Sequence, residues 1–328
     1  MVTAGAAHGV APTSESGLVP TERMTDDLVD AEPSAAPGDE FEAIDVDDTE
    51  ATRIARRQDR AFDEFRMRIK NSERLKLEES VFDEATYGAL YKLVQDGVIE
   101  AFGGPISTGK EANVYTALGG SLARDVLELD AECDPEVAVK VYRISASDFR
   151  DMRDYLEGDP RFESIGGDKK DVVLAWTRKE FANLSRAREG GVRVPMPIAV
   201  ERNALVMEYI GADGERGRRL AEVDVENPET AYEVVREYTR RLYDAGLVHG
   251  DLSEYNLVVQ DGEMVVLDLG QALTVRHPNA REFLERDCRN VAAFFGREGY
   301  DVDLDAMLAH VTGEDDESAD DTQDTNET

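Results

Sequence analysis

The chain has 328 residues, 41% of them hydrophobic, which is enough apolar material for one large or two smaller folded domains. No apolar run approaches the roughly 18 residues of a membrane-spanning helix, the first residues lack the parts of a secretion signal, and the two cysteines form neither a disulfide framework nor a metal motif. We therefore expect a cytoplasmic protein with no membrane partner, although its net charge of −34 is unusual.

The predicted elements begin after an acidic tail. Residues 1–50 hold 13 acids and a single Arg, and few aromatics, so we expect disorder there. N-terminal helices are predicted over 51–98, the second at 83–96 with a stop at Gly97. A second acidic tail, 313–328, is also predicted to be disordered.

The middle of the chain alternates between short β runs and helices. Antiparallel strands are predicted at 99–106, 113–118, 136–143, 197–201 and 204–210. Helices are predicted at 147–158 and 172–190, around a Gly-rich and charged segment, 158–171, that we expect to be flexible. Beyond Gly211 the chain is predicted to be mostly helical, with helices at 227–246, 279–298 and 303–312 and a strand–turn–strand stretch within 247–272.

The most informative motif is HGDLSEYN, residues 249–256. It fits the H-x-D-x-x-x-x-N loop of phosphoryl-transfer enzymes, in which the Asp accepts a proton and the Asn binds magnesium. The spacing forms one tight loop that brings Asp251 and Asn256 over the same phosphate. Taken alone, the eight letters also fit a polar turn between a helix and a hairpin.

Two further motifs support this chemistry. Asp268-Leu269-Gly270 ends an apolar strand, like the D-x-G magnesium site of kinases. Val137-Ala138-Val139-Lys140 resembles V-A-I-K, whose Lys holds the α- and β-phosphates. Such a Lys needs an acid on a nearby helix, for which Glu180 is the first candidate and Glu189 the alternative. Each of these residues taken singly also fits an ordinary strand, turn or helix position.

The stretch GPISTGKE, residues 104–111, matches a Walker A loop except at Glu111, where Ser or Thr would hold magnesium. A Walker loop runs from a strand directly into a helix, whereas 113–118 predicts a strand. In the register of the kinase loop G-x-G-x-x-G-x-V, only Gly109 is kept. Strand–loop–strand then assigns the phosphate role to Lys140 and no metal role to Glu111.

These motifs follow one another in the chain order of the protein-kinase fold, and the sequence resembles the RIO family of atypical serine/threonine kinases. The resemblance rests on blocks that occur in order between residues 80 and 308: STGKEANVY, VAVKVYR, GDPRF, WTRKEFANL, VPMPIAV, LVMEYIG, LVHGDLSEYNLVV and VLDLGQA. STGKEA, the flexible segment and D-L-G-Q indicate the type-1 branch.

The charge distribution has two interpretations. An acidic chain with 8 Lys among its 37 basic residues is typical of a proteome adapted to high salt, where screening weakens the repulsion between carboxylates. This favours an archaeal, haloarchaeal member, in which lack of a basic patch says little about nucleic-acid binding. The alternative is an acidic protein that binds a basic partner.

The resemblance implies a two-lobed, protein-kinase-like α+β fold. Its N-lobe, 99–210, would hold an antiparallel sheet and one αC-like helix, and its C-lobe, 211–312, would be helical and reduced. Only 58 residues follow Gly270, so the activation segment and the peptide-substrate subdomain of larger kinases are expected to be missing.

The resemblance also implies ATP and Mg²⁺ as cofactors, with Mn²⁺ as an alternative ion. Asp251 would be the base, Asn256 and Asp268 would hold the metal, and Asp268 would carry a transient aspartyl phosphate. Lys140 is also counted as catalytic, through its phosphate contact. The expected nucleotide-binding residues are Ser107, Thr108, Gly109, Lys110, Lys140, Glu180, Met207, Glu208 and Ile210.

The implied function is an ATP-dependent kinase and ATPase of small ribosomal subunit maturation, with the rRNA and proteins of the pre-ribosomal particle as partners. Two alternatives stay open. Small-molecule phosphotransferases of the aminoglycoside and choline kinase type share H-G-D-x-x-x-x-N, but need an acceptor-binding subdomain for which the chain after Gly270 is short. A non-catalytic ATP-binding assembly factor is the other, since sequence does not show turnover. The oligomeric state is left open.

Overall fold

The computed structural model describes residue 60 and residues 62–64, 82–144, 149–156, 159, 161, 168–212 and 214–314. Several predictions lie outside these residues: the disordered tails apart from residues 313 and 314, nearly all of the first N-terminal helix, and most of the flexible segment.

Five strands form an antiparallel sheet in the order β1-β2-β3-β5-β4. Their bounds are β1 Ile99–Thr108, β2 Ala112–Gly119, β3 Glu136–Tyr142, β4 Pro197–Glu201 and β5 Ala204–Glu208. In β3 every residue except Glu136 is buried, as expected for a central strand covered on both faces. The predicted antiparallel sheet is confirmed, and β5 joins it by pairing with β3, where Lys140 faces Leu205 in register.

Seven α-helices are defined in the described part of the chain. Their bounds are α1 Glu84–Gln95, α2 Ser121–Val126, α3 Phe149–Leu156, α4 Lys169–Glu189, α5 Pro228–Asp244, α6 Ala280–Arg297 and α7 Leu304–Thr312. The cap of α1 is Asp83, whose carboxylate accepts the Thr86 N–H at 2.7 Å and so satisfies a donor that the first turn leaves free. No helix in the described ranges is long and apolar enough to cross a bilayer.

The second half of the chain places short strands among its helices. These are β6 Gly211–Ala212, β7 Glu215–Arg216, β8 Arg218–Arg219, β9 Leu247–Val248, β10 Leu257–Gln260, β11 Glu263–Val266 and β12 Leu273–Thr274, with a 3-10 turn at Leu220–Glu222. Strands β10 and β11 form the predicted hairpin, whose turn residues Asp261 and Gly262 both have positive φ, as a type I′ turn requires. One hydrophobic core joins α5, α6 and α7 to the C-terminal half of α4.

The structure differs from the sequence predictions at three places. Helix α4 begins at Lys169 rather than at residue 172, because Lys169 and Lys170 are good helix formers that extend it back to Asp168. The stretch between β2 and β3 contains α2, which was not predicted. Strands β6 to β8 replace part of the expected helical region, because two-residue strands form through pairing partners such as β10 and carry no periodic signal of their own.

Candidate active site

A cavity of about 660 Å³ lies between the sheet and the catalytic loop. It is lined by the β1–β2 hairpin, by β3 and α4, by the chain after β5 and by the start of the β10–β11 region. Its walls include ten of the twelve predicted site residues: Ser107, Gly109, Lys110, Lys140, Glu180, Met207, Glu208, Ile210, Asn256 and Asp268. Thr108 and Asp251 are not among the lining residues.

Lys140 is the centre of the charge arrangement. Its Nζ donates to Glu180 Oε1 at 2.7 Å and to Asp268 Oδ1 at 2.9 Å. The partner acid is therefore Glu180 and not the alternative Glu189. Glu180 is 1% exposed, whereas the Asp268 side chain keeps 52% of its surface open to the cleft. One cation thus bridges the αC-like helix and the D-x-G turn.

The pKa values of this group follow from burial and mutual charge. Burial lowers the pKa of Lys140, but the carboxylates of Asp268 and Glu180 outweigh it and hold the pKa well above its ordinary value. Enclosure by the cleft would raise the pKa of Asp268, but the adjacent ammonium keeps it below its usual range. Burial dominates at Glu180 and raises its pKa.

Tyr142 is a site residue that the motif search missed. Its hydroxyl donates to Glu180 Oε2, and the Lys140 ammonium lies 5.1 Å from the centre of its ring. Both oxygens of the buried Glu180 carboxylate therefore have a donor. The signal was present in the sequence, since Tyr142 follows Lys140 by two positions and so shares its face of β3.

The loop 249–256 brings Asp251 and Asn256 together. Asn256 Nδ2 donates to the Asp251 backbone oxygen at 2.8 Å and to Asp251 Oδ2 at 3.1 Å. His249 is buried, and its Nε2 is 3.0 Å from the Leu267 oxygen, which fixes the loop against the strand before Asp268. Desolvation raises the pKa of Asp251, against the lowering effect of His249 and the Asn256 hydrogen bond. A carboxylate with a raised pKa is a better proton acceptor.

Asp287, on α6, is a second residue that the motif search missed. It is 1% exposed, and its carboxylate accepts the Gly250 N–H at 2.7 Å and the Leu252 N–H at 2.9 Å, one on each side of Asp251. Gly250 has a φ of 79°, and a Cβ there would lie 3.0 Å from the Gln271 oxygen, so glycine is required next to Asp251. The available signal was an acid on the apolar stripe of a predicted helix.

The phosphate loop is a β hairpin, as the kinase register predicted. Ser107 pairs with Val114 and Thr108 with Asn113, and the chain turns at 109–111. The Gly109 N–H donates to the Ala112 oxygen at 3.0 Å. The fully buried Asn113 accepts from Arg143 Nη2 at 3.0 Å, which fixes the base of the loop. A Walker arrangement is excluded because no helix follows the loop.

The end of β5 is fixed by an ion pair that the sequence did not indicate. Arg193 Nη1 and Nη2 donate to the two carboxylate oxygens of Glu208 at 2.8 and 2.6 Å, and the Glu208 N–H donates to the Met196 oxygen at 2.8 Å. The Ile210 oxygen accepts from the Gly217 N–H at 2.9 Å.

The donor set fits magnesium. Asn256 uses its Nδ2 toward Asp251, so its Oδ1 is the amide atom suited to a metal, and the Asp268 carboxylate lines the same cavity; Mg²⁺ prefers such oxygen ligands. Within the described residues, no cluster of three His, Cys, Asp or Glu side chains could hold a metal alone. A site with two protein ligands suits Mg²⁺, which keeps waters and takes phosphate oxygens.

The fold has two lobes, and a lysine on a strand pairs with a glutamate on a helix above an Asp–Asn loop and a D-x-G turn. This arrangement defines the protein-kinase-like class. Comparison with known proteins narrows the class. The RIO domain family matches residues 113–307. The Rio1 kinase of Haloferax volcanii is 66% identical over 299 residues, which cover 90% of this chain and 99% of that protein. The Rio1 kinase of Methanocaldococcus jannaschii is 36% identical over 74% of this chain and 79% of its own length.

The chain therefore belongs to the RIO-type serine/threonine-protein kinases, and the predicted type-1, haloarchaeal resemblance is confirmed. Among solved structures, the Rio2 kinase from Chaetomium thermophilum has a TM-score of 0.53 at 22% identity, over 69% of this chain and 67% of that one. Its ADP/Mg²⁺-phosphoaspartate complex has a TM-score of 0.50 at 21% identity, over 69% and 66% of the two chains. These neighbours confirm the kinase-like fold.

Proposed function

We propose that this chain transfers the γ-phosphoryl group of Mg-ATP, as a RIO-type serine/threonine kinase with ATPase activity. The supporting observation is that Lys140, bonded to both Glu180 and Asp268, faces the same cavity as Asn256, which is bonded to Asp251. The cavity volume of about 660 Å³ lies within the range of small-molecule and cofactor sites, about 300–1,000 Å³.

In the proposed reaction, the residues of the chain orient the nucleotide and accept a proton. Glu208 and Ile210 contact the base through backbone groups, with Met207 beside them, and Lys140 turns from Asp268 to the phosphates. Asp251 takes the proton of the attacking hydroxyl or water, since its raised pKa makes it the better base. Bound at Asn256 and Asp268, Mg²⁺, with Mn²⁺ as an alternative, neutralises phosphate charge.

A phosphorylated Asp268 would account for ATPase activity. One Asp268 oxygen attacks the γ-phosphorus, the bond from phosphorus to the bridging oxygen breaks, and ADP leaves with that electron pair. Water then attacks the phosphorus and Asp251 takes its proton, while the bond from phosphorus to the Asp268 oxygen breaks, so that inorganic phosphate leaves and Asp268 is a carboxylate again. The Chaetomium thermophilum Rio2 complex with ADP, Mg²⁺ and phosphoaspartate supports this route. The lowered pKa of Asp268 keeps the attacking carboxylate ionised.

The biological setting is inferred from family membership alone. We infer action in the cytoplasm on the pre-ribosomal small subunit, through its rRNA and proteins. Wild-type protein should co-sediment with small subunits in high salt, and the Lys140→Met variant tests whether ATP changes that binding. A small-molecule phosphotransferase is disfavoured, because the matching family is the RIO domain and the similar relatives are RIO-type serine/threonine-protein kinases.

The enzymatic proposal is tested with purified full-length protein in molar KCl with labelled Mg-ATP. Wild type should release phosphate or transfer it, and Asp251→Asn should lose at least about 100-fold in rate, as removal of a general base does. Equal rates for the two would leave only a non-catalytic ATP-binding role. Protein-bound label that survives hydroxylamine, or persists in Asp268→Asn, would exclude the aspartyl phosphate.

A further inference from the structure

The D-x-G turn has a backbone conformation that it cannot hold alone. Asp268 has a φ of 58°, in the left-handed region that residues other than glycine rarely adopt. Such strained positions persist only where surrounding contacts determine them.

Helix α4 supplies most of them, from two buried polar side chains. Asn183 is fully buried, and its Nδ2 donates to the Leu269 oxygen at 3.0 Å and to the Ala272 oxygen at 3.1 Å. Lys179, also fully buried, donates from Nζ to the Gly270 oxygen at 2.7 Å. Three carbonyls of the turn are therefore bonded to α4, one through Lys179, which precedes Glu180 directly, and two through Asn183, about one turn after Glu180.

A second connection reaches the same turn from the chain before α4. Arg161 Nη2 donates to Asn183 Oδ1 at 3.0 Å, so both ends of that amide are engaged. Arg161 is itself held by Asp159, a 2% exposed carboxylate that it contacts at 2.7 Å through Nη2 and at 3.0 Å through Nε. Tyr155, at the end of α3, donates to Gln271 Oε1 at 3.1 Å.

We propose that the contacts of Asn183, Lys179 and Arg161 form a positioning network that holds the turn 269–272 and thereby sets the affinity of the Asp268 site for Mg²⁺. Asn183 and Lys179 act through the backbone next to Asp268, and Arg161 acts through Asn183. This inference rests on the proposed Mg-ATP function and extends it, because it makes metal affinity depend on the chain between α3 and α4.

The network predicts a selective effect on metal affinity. If the turn relaxes, Asp268 is misplaced, but the proposed ATP contacts of residues 207–210 and of the β1–β2 hairpin remain. Metal affinity should then fall while metal-free ATP affinity does not change. Loss of general stability would instead weaken both.

The test uses the full-length protein in molar KCl and measures ATP affinity by calorimetry, in EDTA and across a Mg²⁺ titration. Asn183→Asp keeps the side-chain shape but removes both donors, and Arg161→Gln removes the guanidinium at a partly exposed position. Arg178→Gln, at an exposed position of α4, is the matched control. Asn183→Asp should raise the half-saturating Mg²⁺ concentration at least about tenfold, or about 1.4 kcal/mol.

Arg161→Gln should raise the half-saturating Mg²⁺ concentration by a smaller factor, about two- to fivefold on the same logarithmic scale. Arg178→Gln should leave that concentration unchanged. If Asn183→Asp does not fold, Arg161→Gln carries the test alone. Wild-type Mg²⁺ dependence in both network variants would overturn the inference, and so would equal weakening with and without Mg²⁺. If wild type binds no ATP under either condition, the proposed function itself fails and the inference fails with it.

Discussion

Asp287 gives the sharpest test of how the site is assembled, because it does not line the cavity and yet binds the backbone on both sides of Asp251, the proposed base. Its two carboxylate oxygens accept the N–H groups of Gly250 and Leu252 at 2.7 and 2.9 Å, and Asp287 itself is only 1% exposed. Asp287→Asn changes only one oxygen to an NH₂ group. One of the two backbone donors then faces another donor instead of an acceptor.

The magnitude follows from these contacts. A hydrogen bond to a charged group contributes about 1.5–3 kcal/mol, and a buried donor left without an acceptor costs about 1–3 kcal/mol. We therefore expect the free energy of unfolding to fall by about 2–4 kcal/mol. The rate of phosphoryl transfer should fall more than the affinity for ATP, since Asp287 positions Asp251, the proposed base, while the proposed nucleotide contacts at 207–210 are unchanged.

Two assays separate these effects: denaturant unfolding in molar KCl, and initial rates over a range of Mg-ATP concentrations. Glu285→Gln is the matched control, because it changes a solvent-facing acid two residues earlier on α6. The reasoning is refuted if Asp287→Asn unfolds at the wild-type denaturant concentration and keeps the wild-type rate. A rise in KM with an unchanged kcat would also contradict a role in positioning the base.

Three further predictions concern other contacts of the site. Tyr142→Phe removes one donor to Glu180, so kcat should fall about 5- to 30-fold, as the loss of about 1–2 kcal/mol predicts, and a thermal melt checks that the fold is kept. Arg193→Gln breaks the two-point contact with Glu208, so the KM for ATP should rise about tenfold while Arg178→Gln leaves it unchanged. Burial lowers the pKa of Lys179 to about 7, whereas the pKa of a lysine in an unfolded chain is about 10.4. Between these two pH values the unfolded chain binds one more proton than the folded chain, so the free energy of unfolding should rise with pH. Denaturant titrations at several pH values should show that Lys179→Met lacks this rise, and an identical pH dependence in the variant would contradict the shift.

The sequence by itself determined the features that depend on local spacing. The loop motif at 249–256, the D-x-G turn and the strand carrying Lys140 were all placed correctly, because their chemistry requires particular side chains within a few residues of each other. Helices α5, α6 and α7 were found to within two residues, since their apolar periodicity is long and regular. The hairpin form of the phosphate loop followed from the strand pattern after it.

Only the tertiary structure decided the contacts between distant segments. Lys140 and Asp268 are 128 positions apart, and the choice between Glu180 and Glu189 depends on how α4 lies against β3. Asp287 and the donors of α4 act on backbone groups, which every residue carries, so no letter in the partner segment marks the contact. Arg193 contacts the Glu208 side chain, and that pairing also depends on how the two segments are placed by the fold. Periodicity reports which face of an element is buried, but the topology of the sheet and helices decides what that face meets.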